Sequence, residues 1–179
     1  MTNKGKYYES QFEEATIKLL REAHWQYAFG DDIHRKYTDP LIEEDLRNFL
    51  AVQYKDKNLT TSEMDSIVAN LRNTGGQNDY YALRNTFLLY RDGYDFAYSD
   101  GRSNPFRLEY IDFEHPDHNI FRCVNQFVME QGRENRRPDI LLFINGIPVC
   151  IIELKNPTKQ NATIRDAHTQ ICTRYMRDI

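Results

Sequence analysis

The architecture follows from one stretch, PDILLFINGIPVCIIELK, at residues 138–155. Its two apolar runs meet at Asn145-Gly146, a dipeptide that favours the positive φ angles of a tight hairpin turn. Because each run is apolar on both faces, we expect the hairpin to be covered on both sides and to lie centrally in a mixed sheet. The sequence therefore predicts an α/β fold built around this hairpin.

Charged residues stand at the open end of the hairpin. Asp139 opens the first strand, and Glu153 and Lys155 end the second, where they share a face because they are two residues apart. A plain two-residue loop would pair Asp139 with Ile152 and turn it away from Glu153. One β-bulge, or a three-residue loop, would set the two carboxylates opposite each other. We predict that bulge or odd loop.

These three residues favour metal-dependent hydrolysis. Two neighbouring carboxylates need a cation, and oxygen ligands without His or Cys suit Mg²⁺. The ion would lower the pKa of a bound water and polarise a phosphoryl oxygen, while the Lys155 ammonium would orient the water and offset developing charge. Alone, each part is typical of a turn or a solvated strand end. However, Glu153 directly follows the apolar run Val149–Ile152, where unpaired charges are rare.

The residues before Gly93 predict four helices from their apolar spacing and their capping patterns. The helices are Tyr7–His24, Asp39-Pro40 to about Tyr54, a segment opened by a Thr60–Glu63 capping box, and Asp79–Arg91. On the first helix Glu13 and Glu9 fall within the apolar arc, so either of them could reach the hairpin as a metal or water ligand. The alternative for both is a position facing solvent.

Beyond Gly93, alternating aromatic and β-branched residues predict strands at Leu108–Phe113 and Ile120–Met129, and Ala162–Met176 predicts a helix. We expect a single domain over residues 1–179, with a helical portion at about 6–92, the sheet and hairpin at about 107–156 and the last helix at about 162–177. His115 and His118 flank Asp117 in a short, turn-rich segment, which favours a loop over a metal site.

Composition restricts the function classes. The 179 residues carry 23 Lys and Arg against 27 Asp and Glu, and this net charge of −4 argues against tight nucleic-acid binding, although residues 132–179 hold eight basic and five acidic residues.

No apolar run reaches the ~20 residues of a membrane span and no signal peptide is recognisable, so we expect a cytoplasmic protein without a membrane partner. Three widely spaced cysteines argue against disulfides and zinc and favour buried, reduced thiols.

The sequence Pro138-Asp139, thirteen intervening residues and Glu153-Leu154-Lys155 resembles the PD-(D/E)xK nuclease motif. Within that superfamily the chain is similar to the N-terminal endonuclease domain of the type I restriction enzyme R subunit. The similarity extends over nearly the whole chain. Its further segments are Phe12-Glu13, Ile111-Asp112-Phe113, Asn119-x-Phe121, Asn125-Gln126-Phe127, the hairpin itself, Asp166-Ala167 and Gln170-Ile171.

The resemblance implies a restriction-endonuclease-like core, with a central mixed β-sheet flanked by helices and a helical N-terminal half. It implies a type I site-specific deoxyribonuclease that cleaves double-stranded DNA with Mg²⁺, with modification and specificity subunits as partners. Asp139 and Glu153 would be metal-binding catalytic residues and Lys155 the catalytic lysine. Glu13 would be the further metal-binding catalytic residue, with Glu9 as the alternative.

The resembled family also has a QxxxY motif on the following helix, which implies catalytic roles for Gln170 and Tyr175. This chain departs from the motif because the two residues are five apart rather than four. In a straight α-helix a step of five leaves them about 140° apart. Either a π-bulge or a wide turn restores the pairing, or Arg174 takes that face and contacts phosphate. For Tyr175, packing on the helix is the alternative to a catalytic role.

The chain contains neither a GxxxxGK[ST] nor a GxGxxG sequence that would cradle nucleotide phosphates. Because R subunits are ATP-driven DNA translocases, the resemblance implies that ATP binds only in a motor region that this chain lacks. We therefore expect a fragment of a longer polypeptide. Two alternatives stay open, a stand-alone repair or recombination nuclease with the same motif and a noncatalytic docking module with the nuclease fold.

Overall fold

The computed structural model describes residues 9–75, 77–131, 134–155 and 164–175, without the side chains of Glu9, Gln131, Arg174 and Tyr175. The chain forms two compact units, one of Met1–Leu41 with Phe121–Ile179 and one of Ile42–Ile120. In chain order the elements are α1 (Glu9–Glu22), β1 (Gln26–Phe29), α2 (Glu43–Gln53), α3 (Thr61–Arg72), α4 (Asp79–Asp92), β2 (Tyr94–Phe96), β3 (Phe106–Leu108), β4 (Phe121–Asn125), β5 (Met129–Gln131), β6 (Glu134–Arg136), β7 (Ile140–Ile144), β8 (Ile147–Ile152) and α5 (Ile164–Thr169), which continues as a π-helix, Gln170–Tyr175.

The first unit is built on a four-stranded sheet in the order β1-β4-β7-β8. β1 runs parallel to β4, while β4, β7 and β8 are antiparallel to their neighbours, so the sheet is mixed as predicted. Its core contains fully buried residues of β4 and the hairpin, with Phe127 packed against Phe143 at 5.0 Å between ring centroids. The α/β class and the β7–β8 hairpin are confirmed.

The prediction that both strands of the hairpin lie centrally in the sheet is only half right. β7 lies between β4 and β8, but β8 is the outermost strand of the sheet among the described residues, and Val149 on it is 42% exposed. An apolar run has no polar face that would show which of two strands lies at the edge. The prediction is therefore correct for β7 and wrong for β8.

Several predicted boundaries are also corrected. The strand predicted at Leu108–Phe113 ends at Leu108, because the Asp112 carboxylate accepts the backbone N–H groups of Glu114 and His115 in a turn. The strand predicted at Ile120–Met129 stops at Asn125, since Gln126 has a φ of +57°. β1 was not predicted, because a four-residue strand has too little periodicity and is fixed by its pairing with β4.

The second unit contains α2, α3, α4 and the β2–β3 hairpin. The predicted capping box of α3 is confirmed, with Thr60 and Glu63 each bonding the other's backbone N–H. The helix predicted after Asp39-Pro40 begins only at Glu43, because the Asp39 carboxylate accepts the Leu41 N–H at 3.1 Å in a local turn instead. α4 ends at Gly93 as predicted.

The cysteines differ from the prediction in their burial. All three cysteines are free, but only Cys123 is buried, whereas Cys150 and Cys172 are exposed, so the prediction of buried thiols is wrong for those two. Among the described residues, no helix combines the length and apolar character that crossing a membrane requires.

Candidate active site

The open end of the β7–β8 hairpin has the predicted irregular register. The turn at Asn145-Gly146 has two residues, with Ile144 opposite Ile147 and Phe143 opposite Pro148. The next pair is Leu142 with Cys150, so Val149 is the extra residue of a β-bulge next to Pro148, whose missing N–H weakens the ladder at that point. The predicted bulge is thus confirmed.

The bulge decides which residues face each other at the end of the hairpin. Beyond it, Ile140 lies opposite Ile152, and one further step of this register sets Asp139 opposite Glu153. The Asp139 carboxylate also accepts the Leu154 N–H at 2.7 Å, which fixes it against the end of β8. This register differs from that of a hairpin without a bulge, which would pair Asp139 with Ile152.

Glu153 is a buried carboxylate with polar neighbours. Its side chain is 1% exposed, and its Oε2 lies 3.6 Å from the Lys155 Nζ. The Gln170 amide donates to the same oxygen at 2.9 Å. Lys155 keeps 25% of its side chain exposed and can therefore also reach a molecule outside the site. The structure thus brings Gln170, from the helix after the hairpin, to Glu153 and Lys155 at the end of the second strand.

Glu13 on α1 faces the same end of the sheet. Its Oε1 accepts hydrogen bonds from the Asn125 amide at 2.8 Å and from the Gln126 amide at 3.3 Å. Asn125 ends β4 opposite Ile140, and the backbone N–H of Gln126 donates to the carbonyl of Asp139 at 3.2 Å. A single residue, Gln126, therefore bonds both Glu13 and Asp139. The alternative, Glu9, has its side chain outside the described residues.

Three residues around Glu13 were not predicted as site residues. They are Asn125, Gln126 and Tyr27, whose hydroxyl donates to the Asn125 Oδ1 at 2.9 Å. Burial, and after it the negative charge of Glu13, raise the pKa of Tyr27, so its hydroxyl keeps its proton and acts as the donor. Asn125-Gln126-Phe127 was part of the family resemblance but carried no role, and Tyr27 lies on the strand that the sequence did not predict.

The helix after the hairpin explains the five-residue spacing. Gln170–Tyr175 is a π-helix, in which hydrogen bonds join residues five apart. The backbone therefore brings Tyr175 one turn from Gln170, and the π geometry that we considered is confirmed. The side chains of Arg174 and Tyr175 lie outside the described residues, so their roles stay predictions.

A second group of titratable residues lies in the Ile42–Ile120 unit. The Asp112 Oδ2 is 3.1 Å from the Nδ1 of His118, 3.6 Å from that of His115 and 3.0 Å from the Gln53 amide. The two imidazole rings stack at 4.9 Å with 17° between their planes. Because nitrogen lone pairs lie in the ring plane, nearly parallel rings do not direct them to one ion. The hydrogen bonds that Asp112 makes to Gln53 and His118 explain why these side chains lie together.

Comparisons with known proteins give one consistent result. The sequence model of the family described as "Type I restriction enzyme R protein N terminus" matches residues 6–179. The type I restriction enzyme HindI endonuclease subunit of Haemophilus influenzae is 31% identical over 176 residues, which cover 92% of this chain and 16% of that protein. A Methanocaldococcus jannaschii protein named as the endonuclease subunit of type I restriction enzyme MjaIXP is 30% identical over 175 residues, 93% of this chain and 17% of its own length. The chain thus spans about one sixth of the length of these relatives.

Proposed function

Because this chain belongs to the family of type I restriction enzyme R protein N-termini, we propose that it is the DNA-cleaving part of such an enzyme and hydrolyses phosphodiester bonds of double-stranded DNA with Mg²⁺. The observation that carries the proposal is the bulge at Val149, which sets Asp139 opposite Glu153 at the hairpin end. A hairpin without the bulge would separate these carboxylates and leave no paired ligands for a metal ion.

The residues present fit a hard divalent cation. Asp139 and Glu153 occupy facing positions, and Glu13 lies at the same end of the sheet. All three ligands would be carboxylates, the donor type that Mg²⁺ prefers. When bound, the ion would lower the pKa of a water and polarise the scissile phosphate. In this proposal Asp139, Glu153 and Glu13 hold the metal.

Backbone and side-chain groups next to the carboxylates supply the remaining functions. The Gln170 amide and the Leu154 N–H each fix one carboxylate oxygen, at 2.9 Å on Glu153 and 2.7 Å on Asp139, so that the carboxylates need not reorient during the reaction. Lys155 keeps its ammonium beside Glu153, from where it donates to the attacking water and offsets negative charge on the phosphate.

The proposal extends to the complete enzyme. The relatives are subunits of type I restriction enzymes and are about six times longer than this chain. We infer that ATP-driven DNA translocation belongs to the rest of the subunit, and that sequence recognition and methylation belong to specificity and modification subunits. Cleavage by this chain then depends on DNA that the other parts deliver.

The decisive experiment is plasmid cleavage by the complete enzyme with Lys155→Ala. We expect lost cleavage with unchanged ATP turnover, because in this proposal Lys155 acts only on the attacking water and the scissile phosphate. The control is Lys55→Ala, because Lys55 is exposed and lies far from the site residues in the sequence. The enzyme with this substitution should cleave normally. Retained cleavage in Lys155→Ala would defeat the proposal.

A metal titration separates the nuclease from a noncatalytic docking module. We expect the chain to bind Mn²⁺ at millimolar concentrations or below, and Asp139→Ala to lose this binding while the far-UV circular dichroism spectrum stays unchanged. If the unmodified chain binds no divalent ion in this range, the docking function is favoured instead.

A further inference from the structure

Gln126 is the point at which two of the candidate metal ligands are connected. Its backbone N–H donates to the Asp139 carbonyl at 3.2 Å, and its side-chain amide donates to the Glu13 Oε1 at 3.3 Å. The neighbouring Asn125 amide donates to the same Oε1 at 2.8 Å. We propose that Asn125 and Gln126 are positioning residues, which hold Glu13 beside Asp139 so that the two carboxylates bind one metal ion. The inference rests on the proposed nuclease function.

The backbone at Gln126 supports a functional role. Its φ of +57° lies in the left-handed region, which residues other than glycine rarely adopt. Such a conformation persists where the surroundings impose it, and it is frequent at functional sites. Here it ends β4 and turns the Gln126 side chain towards α1 while the N–H still reaches Asp139. An extended residue at this position would continue the strand instead.

Tyr27 selects the orientation of the Asn125 amide. Its hydroxyl donates to the Asn125 Oδ1 at 2.9 Å, so the other amide atom, Nδ2, faces Glu13. Without this hydrogen bond the amide could turn and present its oxygen to the carboxylate, which would repel it. Tyr27 therefore acts on Glu13 through Asn125.

The two amides act on one atom of the Glu13 carboxylate. Both donate to Oε1, and neither donates to Oε2. Two hydrogen bonds on one oxygen fix the plane of the carboxylate, and in this proposal Oε2 is the ligand atom. Residues that orient metal ligands in this way typically change metal affinity about 10- to 100-fold when they are replaced.

The test measures Mn²⁺ affinity of the chain by calorimetry. Asn125→Ala removes one donor, and Gln126→Asn keeps a residue that tolerates positive φ but is too short to reach Glu13. We expect each to raise the Kd for Mn²⁺ about tenfold, and Tyr27→Phe, which removes only one oxygen, to raise it by less. Asn85→Ala is the matched control, because it deletes an amide hydrogen bond to the Gly75 carbonyl elsewhere, and its Kd should not change.

A second measurement separates positioning from a general loss of structure. In the complete enzyme, raising the Mn²⁺ concentration about tenfold should restore the cleavage rate of Asn125→Ala and Gln126→Asn, because only the occupancy of the site is reduced. Equal Mn²⁺ affinities in the unmodified chain and all three variants, with weakened binding in Glu13→Gln, would overturn the inference and leave the nuclease proposal standing. Unchanged Mn²⁺ affinity in Asp139→Asn would instead overturn the nuclease proposal, and the inference with it.

Discussion

Among single residues, Gly30 shows how the absence of a side chain shapes the candidate site. It directly follows β1 and is buried. A Cβ at this position would meet the Gln126 carbonyl oxygen and lie 2.8 Å from its carbonyl carbon and 2.9 Å from the Phe127 Cα. Backbone atoms cannot rotate away as a flexible side chain does, so only glycine fits here. Gly30 therefore helps to set the place of Gln126, which contacts Glu13.

We predict that Gly30→Ala destabilises the chain by about 1–3 kcal/mol, the usual cost of forcing an extra methyl group into a close-packed site. The displaced Gln126 should also weaken Mn²⁺ binding. Urea unfolding followed by circular dichroism measures the first effect, and calorimetry the second.

The control for this prediction is a glycine with space around it. A Cβ on Gly75 would have its nearest neighbour, the Asn73 carbonyl oxygen, at 3.9 Å, and the φ of Gly75 is not in the positive region. Gly75→Ala should therefore leave the urea midpoint unchanged or raise it slightly. Equal midpoints for the two alanine variants would contradict the close approach at Gly30.

At the level of helices and strands, the sequence predicted what local patterns encode. Asn145-Gly146 identified the β7–β8 turn, and the two-residue spacing of Glu153 and Lys155 paired them correctly. It did not show that β8 lies at the sheet edge or that β1 exists, because both depend on which strands pair in space. Nor did it show that Gln170 bonds Glu153, since contacts between separate elements depend on packing that spacing does not contain.

The π-helix allows a direct test of the spacing between Gln170 and Tyr175. Deleting Thr173, which is exposed, shortens the step from five residues to four. We predict that the segment becomes a regular α-helix, in which a step of four leaves the two residues about 40° apart. The complete enzyme should then cleave plasmid DNA within a few fold of its normal rate.

Deleting a residue from the segment that precedes α5 in the sequence would move Gln170 itself. The control therefore deletes Asp178, three residues after Tyr175 in the sequence, and should behave as the unmodified enzyme. Loss of cleavage in the Thr173 deletion, with an unchanged melting temperature, would show that the π-helix itself is required and not only the relation of the two residues.

The capping box of α3 makes stability depend on pH. Hydrogen bonds from Arg102 and then from the Thr60 N–H lower the pKa of Glu63 from 4.5 to about 2. A folded-state pKa below the unfolded one means that the stabilisation is fully present above about pH 4.5 and is lost as the pH falls towards about 2. Glu63→Gln should therefore melt well below the unmodified chain at pH 6, and the difference in melting temperature should shrink at pH 2.5.

Asp95→Asn is the matched control for the Glu63 variant, because the Asp95 side chain is 76% exposed and pairs with Arg107 at the surface. Its melting temperature should stay close to that of the unmodified chain throughout this pH range. A difference between Glu63→Gln and the unmodified chain that does not change with pH would contradict the lowered pKa.

For the whole molecule, the balance of charges limits the affinity of the chain for DNA. Its net charge is −4, and this sum includes the three carboxylates of the candidate site, Glu13, Asp139 and Glu153. Affinity for nucleic acid comes largely from Lys and Arg side chains that neutralise phosphates. The proposed nuclease would, with this balance, need a metal ion at the site and DNA held by other parts of the enzyme, and the relatives are about six times its length.

We therefore predict that the chain alone binds a ~20-base-pair duplex only in the non-specific range, with a Kd above about 1 µM at physiological salt. Fluorescence anisotropy with Ca²⁺ in place of Mg²⁺ measures binding without cleavage, and the complete enzyme is the positive control. The slope of log Kd against log salt should be shallow, because few phosphates are neutralised. A nanomolar Kd with a steep salt dependence would show that the chain has its own DNA-binding surface, and would favour a stand-alone nuclease over one that is supplied with DNA by a motor.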